Sequence, residues 1–199
     1  MKYNASGDSI ALGCKDNLLH ILSVSNSYRH VAVCRGHTSF IKNIDFSADG
    51  SILQSTDAAR ELLHWNAQSG QQIKNAKDFR NVRWATWTSL FGWPVQGILN
   101  GDNGAATLDG EMNCVTRSRD GQLVVAGGSH TVNKAIKLFT FPCLGNAVPS
   151  LHGGHTSPVL DVAFTSGMSN AQNKADAVHV LSAGGNDCCV FVWTIVPNK

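Results

Sequence analysis

Charge is scarce in this chain: Asp, Glu, Lys and Arg make up 15% of its 199 residues, and the net charge is +2. So slight a basic excess argues against electrostatic binding to nucleic acid or a membrane surface. Long apolar runs are also missing. No stretch approaches the roughly eighteen residues of a membrane-spanning helix, and Met1 to Asp8 carries no apolar signal-peptide core. A soluble, cytoplasmic protein is the expectation, with no nucleic-acid or membrane partner. The six cysteines, Cys14, Cys34, Cys114, Cys143, Cys188 and Cys189, contain no Cys-x-x-Cys pair. Without a secretory context, reduced and mostly buried thiols are expected, with adjacent Cys188 and Cys189 on opposite faces of a strand. The histidines show no His-x-x-x-His or His-Glu-x-x-His spacing, and no Gly-x-Ser-x-Gly elbow or phosphate loop is present. No metal, no cofactor and no catalytic residues are expected, so the chain reads as a non-enzyme.

What the chain does have is turns. Hydrophobic residues reach 43% and glycine is frequent, at 19 residues, which fits an ordered fold of short strands. Three polar turns recur: Ser6-Gly7-Asp8-Ser9, Ser47-Ala48-Asp49-Gly50 and Ser118-Arg119-Asp120-Gly121. Each precedes a short apolar run, at Ile10 to Leu12, Ile52 to Leu53 and Leu123 to Ala126. That is the pattern of a hairpin joining half-buried strands. Further apolar segments follow at Leu18 to Leu22, Leu62 to Trp65 and Ala135 to Phe141, and a last pair at Val178 to Ser182 and Val190 to Trp193. Helical periodicity is poor throughout. Two loops interrupt the pattern, Trp93 to Gly110 and Thr165 to Ala175.

Gly36-His37 precedes Trp65-Asn66, and the same frame returns as Gly154-His155 and Trp193-Thr194. A Gly-His pair some thirty residues before a Trp that ends an apolar strand is the spacing of a WD-repeat propeller blade. The fold class read from this is all-β: an incomplete WD-repeat β-propeller of about four blades, each a four-stranded antiparallel sheet. The units are approximately 1–30, 31–78, 79–148 and 149–199, the first lacking its opening strands. Their third strands end near Leu22, Trp65, Phe139 and Trp193. Only the two Gly-His units carry the full pattern. Within them His155, Ser182, Asp187 and Trp193, and likewise His37, Ser55, Asp57 and Trp65, are expected to form a hydrogen-bonded structural network, because a buried imidazole and an indole N–H both need partners. Asp187 lies six residues before Trp193 but Asp57 lies eight before Trp65, so the second assignment is looser. Ser129-His130 stands where the third unit's turn should be, and Asp16 is the first unit's candidate acid.

Phe79 to Thr88 and Gly92 to Gly97 resemble the insertion in echinoderm microtubule-associated protein-like (EML) proteins. Asn113 to Ser118, Ile136 to Cys143, Gly154 to Val159 and Gly185 to Trp193 are similar to the blades that follow it there. The resemblance implies joined propellers that associate with tubulin or microtubules, sit on the cytoskeleton and have no catalytic activity. The alternative is a general WD-repeat adaptor that recruits peptide or ubiquitin-pathway partners. Lys74, Lys77, Arg80 and Arg83 recur at about every third residue; they are the candidate partner-binding residues, against a merely solvated loop. Trp84, Trp87 and Trp93 are expected to fill an enlarged blade or the seam between blades. Four units fall short of the blade number this family needs to close a ring, so the chain is expected to be a fragment, short isoform or partial gene model of a longer protein.

Overall fold

Polar turns start the hairpins, and their side chains explain why. Ser47 Oγ donates to Asp49 Oδ1 at 2.5 Å and accepts from Ile52 N at 2.9 Å, while Asp49 also accepts from Ser51 N at 3.1 Å. Ser118 and Asp120 repeat the arrangement with Leu123 N and Gln122 N. Gly50 and Gly121, at φ 74° and 72°, supply the left-handed residue that both turns require. In the first turn Asn4 Oδ1 instead accepts from Ser9 N.

The computed structural model describes residues 1–75, 79–99, 112–129, 134–145, 147–165 and 178–196. They form two units, Met1–Gly92 and Trp93–Lys199. The fold is all-β, with fourteen strands in four antiparallel sheets and one 3-10 helix, Trp93–Leu99, among the described residues. No helix among the described residues is long and apolar enough to cross a membrane.

In the first unit, β1 (Lys2–Tyr3), β2 (Ser9–Gly13), β3 (Leu19–Ser23) and β4 (Arg29–Cys34) pair in chain order. The first sheet therefore has an opening strand, contrary to expectation. That strand is only two residues long, too short to leave a periodic trace. The second sheet is β5 (Ile41–Phe46), β6 (Ile52–Asp57) and β7 (Leu62–Asn66), plus one bridge from Trp65 to Gln72. Their shared core contains Leu19, Ile21, Phe46, Leu53 and Trp65, all essentially inaccessible to water. Each such side chain contributes about 1.5–3 kcal/mol by burial. At Gly13 a Cβ would stand 2.6 Å from Ile41 Cγ2, so only glycine lets the two sheets approach there.

In the second unit, β8 (Met112–Arg117), β9 (Leu123–Gly128), β10 (Ile136–Thr140) and β11 (Ser150–His152) form one four-stranded sheet, and β12 (Val159–Phe164), β13 (Val178–Gly184) and β14 (Val190–Ile195) a three-stranded one. Two of the four sheets thus have three strands rather than the four expected. Val125, Ile136, Val159 and Val180 make the core between them, and Asn113 Nδ2 donates to Val159 O at 2.9 Å across the gap. Trp93–Leu99, read as loop, is the 3-10 helix, its Val95 and Ile98 buried. Cys188 and Cys189 precede β14 rather than lying in a strand, and both are exposed. The interruptions at 100–110 and 166–175, and His130, lie outside the described residues.

Candidate functional site

The Gly-His-Thr segments and the Trp-ending strands meet at the edge of the second and fourth sheets. In the fourth, Asp187 Oδ2 lies 2.8 Å from His155 Nδ1. A carboxylate only accepts, so Nδ1 carries the proton and Nε2 of the neutral ring is the acceptor. Ser182 Oγ sits 2.8 Å from Nε2 and donates to it, while Trp193 Nε1–H donates to Ser182 Oγ at 2.8 Å. The result is a directed chain from indole to hydroxyl to imidazole to carboxylate. Asp187 also accepts from Thr156 N at 3.1 Å and Cys189 N at 3.2 Å. Desolvation raises its pKa, but the His155 imidazole and these backbone N–H groups outweigh it and bring the carboxyl to about 2.

The second sheet brings together His37, Ser55 and Trp65 in the same way: His37 Nε2 to Ser55 Oγ is 2.7 Å, and Trp65 Nε1–H donates to Ser55 Oγ at 2.8 Å. The acid differs. Asp57 Oδ2 lies 3.3 Å from His37 Nδ1, close enough for an ion pair, and that nitrogen has no hydrogen-bond partner among the described residues. Asp57 instead accepts from Ser39 N and Glu61 N at 3.1 and 2.9 Å. Glu61 takes the role that Asp187 has toward Thr156, accepting from Thr38 N at 3.2 Å and Thr38 Oγ1 at 2.9 Å. The longer turn thus divides one acid's work between two. Burial depresses the pKa of His37 more than Asp57 and Glu61 raise it. Glu61 was missed in the sequence. The repeated Thr after each Gly-His, Thr38 and Thr156, was the available signal for a second acceptor.

Glycine before each histidine has a packing reason. A Cβ at Gly154 would come within 3.0 Å of Trp193 Cη2, and one at Gly36 within 3.2 Å of Trp65 Cη2. The order Asp187–His155–Ser182 also resembles a nucleophilic triad. Ser182 is 1% exposed and its oxygen already accepts the Trp193 N–H, so no substrate atom reaches it. The set serves as a lock.

A second polar site, unanticipated, lies on the opposite face of the second sheet. Asp45, fully buried, accepts from Gln54 Nε2 at 3.2 Å, Thr86 Oγ1 at 2.6 Å, Thr88 N at 2.9 Å and Thr88 Oγ1 at 3.2 Å. It pins the Phe79 to Ser89 segment over this face, aided by Ala85 N to Phe46 O at 2.9 Å and a bridge between Ser47 and Trp84. Trp84 and Trp87 are the buried side chains of that segment, edge-to-face at 6.1 Å. Trp93 is exposed. The one sequence hint was an acid between Ile44 and Phe46, in a strand otherwise headed for the core.

His64 projects from β7 into the same cover and stacks on Phe79, ring centroids 3.8 Å apart. Burial draws its pKa from 6.5 to about 4. The unfolded chain therefore binds a proton that the folded chain refuses between those values, and stability is full above pH 6.5 and falls as pH drops toward 4. Urea unfolding at a series of pH values should show this slope reduced in His64→Phe; an unchanged slope refutes the assignment. Of the candidate partner-binding residues, Lys74, Arg80 and Arg83 are exposed, and Lys77 lies outside the described residues.

The model of the family described as "Echinoderm microtubule-associated protein second beta-propeller" matches residues 1–195. The chain is similar to the 77 kDa echinoderm microtubule-associated protein of Lytechinus variegatus, 33% identical over 98% of this chain and 28% of that one. It is likewise similar to that of Strongylocentrotus purpuratus, at 34% over 98% and 27%. Echinoderm microtubule-associated protein-like 3 of Homo sapiens is 32% identical over 98% and 21%. The chain thus spans between a fifth and three tenths of these relatives' length. Among solved structures it is similar to the computationally designed Ika8 protein, with TM-score 0.58 and 20% identity over 94% of this chain and 56% of that one. That likeness concerns the fold alone.

Proposed function

This chain belongs to the echinoderm microtubule-associated protein family, and from that premise we propose that it is a non-enzymatic propeller scaffold that associates with tubulin or microtubules in the cytoplasm. The observation that carries the reading is the match to the family's second propeller over residues 1–195, with relatives whose names state microtubule association. The blades are taken to work within a longer protein, in keeping with the 28% share of the Lytechinus variegatus relative. The burial of Ser182 and Ser55 inside their locks supports a role without chemistry.

Lys74, Arg80 and Arg83 are the proposed contact residues. Arg83 stands on a segment fixed to the blade, since its carbonyl accepts from Ala48 N. A basic group on a rigid platform attracts acidic tails such as those of tubulin with little ordering cost. In co-sedimentation with microtubules, the chain should pellet in a salt-sensitive manner. Charge reversal at the three positions together should weaken binding by about tenfold or more. A chain that stays in the supernatant at low salt, and binds no soluble tubulin, ends this reading.

A further inference from the structure

We propose that the β2–β3 hairpin of the first blade is a divalent metal site of the zinc type, with Cys14, Asp16 and His20 as ligands. This departs from the expectation that the chain binds no metal. Ligand atoms of these three residues lie within 4.8 Å of one another. They come from seven consecutive residues held by the hairpin itself: Cys14 N donates to Leu18 O at 3.0 Å, Leu18 N donates to Asp16 Oδ1 at 3.1 Å, and Asn17 turns the chain at φ 66°. Backbone bonds therefore fix the spacing before any ion arrives. Asp16 Oδ2, the oxygen not used by the turn, lies 4.0 Å from His20 Nε2. A tetrahedral zinc needs about 3.3 Å between such atoms, and the exposed Asp16 side chain closes the difference without moving the backbone.

A fourth group makes the cluster more than an accident of three polar residues. His30, on the neighbouring strand β4, places Nε2 3.2 Å from His20 Nδ1. With Nε2 of His20 on the metal, its Nδ1–H donates to His30, which orients the ring and fixes its tautomer as outer-sphere partners of metal-bound histidines do. Asp187 is occupied by His155 and Thr156, and Asp57 by the backbone N–H groups of Ser39 and Glu61 beside the His37 ring. Asp16 has no such imidazole and faces one from its own hairpin instead. One sulfur, one imidazole and one carboxylate suit zinc or cobalt(II) over magnesium or calcium, with a water completing the sphere. As the sulfur–metal bond forms, the Cys14 thiol releases its proton to solvent.

The test is titration of the 199-residue chain with cobalt(II), then displacement by zinc. Cys188→Ser and Cys189→Ser are introduced together beforehand, so that the exposed thiol pair elsewhere does not compete. The expected result is one cobalt per chain, with a thiolate-to-cobalt charge-transfer band and tetrahedral d–d absorption. Both should vanish in Cys14→Ser. Asp16→Asn and His20→Asn, at exposed or half-exposed positions, should weaken binding at least tenfold while far-UV circular dichroism stays unchanged. His30→Gln should weaken it about 10–100-fold. If Cys14→Ser does not fold, an at least tenfold weakening of the cobalt titration in His20→Asn decides the matter. Absence of the charge-transfer band in the starting protein overturns the proposal, as does its persistence in Cys14→Ser or an unchanged cobalt affinity in His20→Asn.

Discussion

Trp65→Ala is expected to destabilise the first unit by about 3–5 kcal/mol, the range for removing a large aromatic from a closed core. Trp65 is fully buried among Leu53, Phe46 and Ile21, and it closes over the Gly36 backbone. Alanine there leaves a void walled by two sheets whose backbones are fixed by their ladders. Relaxation is therefore limited and the cost lies toward the upper end. Trp65→Phe keeps most of the volume and loses the indole N–H; it should cost about 1–3 kcal/mol. Urea unfolding followed by far-UV circular dichroism separates the two. A loss under about 1 kcal/mol for alanine would mean that Trp65 is not a core residue of this unit.

Asp45→Ala is expected to cost about 3–4 kcal/mol, because it leaves Gln54 Nε2, the Thr86 and Thr88 hydroxyls and the Thr88 N–H without the buried carboxylate that accepts from them. Removing a buried charge returns some desolvation free energy, which lowers the figure below the sum of four charge-assisted bonds. Asp45→Asn should fall between wild type and alanine, since its amide NH2 in the place of Oδ1 can donate to the threonine hydroxyls and its carbonyl oxygen in the place of Oδ2 still accepts from Thr88 N and Gln54 Nε2, while the charge is lost. The distinctive readout is fluorescence. Trp84 and Trp87 are the buried side chains of the segment that Asp45 pins, so their emission should shift to the red and become open to acrylamide quenching in Asp45→Ala. Unaltered emission and stability within about 0.5 kcal/mol would show that apolar packing alone holds the cover.

Which parts of this were legible in the sequence follows from how local each signal is. The two Gly-His frames carry their strands, turns and terminal Trp within some forty residues, and strand existence followed from short-range patterning. The same locality gave His155, Ser182, Asp187 and Trp193 as a group, and the structure links these four in one hydrogen-bonded chain. Turn length hid the rest. Two extra residues between Asp57 and Trp65 shift which acid meets which donor, and a count of residues does not say that Glu61 meets Thr38. Asp45 was hidden for a different reason. Its partners Thr86 and Thr88 are more than forty residues away, and no period links a strand acid to hydroxyls on a later irregular segment. β1 was hidden by brevity, the 3-10 helix at Trp93–Leu99 by its proline and glycine, which read as loop.

A single serine hydroxyl joins imidazole to indole in each locked blade, and a double-mutant cycle in urea between Ser55→Ala and Trp65→Phe measures that link directly. The cycle should return a coupling of about 1 kcal/mol or more, the double variant losing less than the two single losses combined, because either change alone already breaks the shared bond. Strictly additive losses would mean that Ser55 and Trp65 stabilise the blade independently, and the lock as described would not exist.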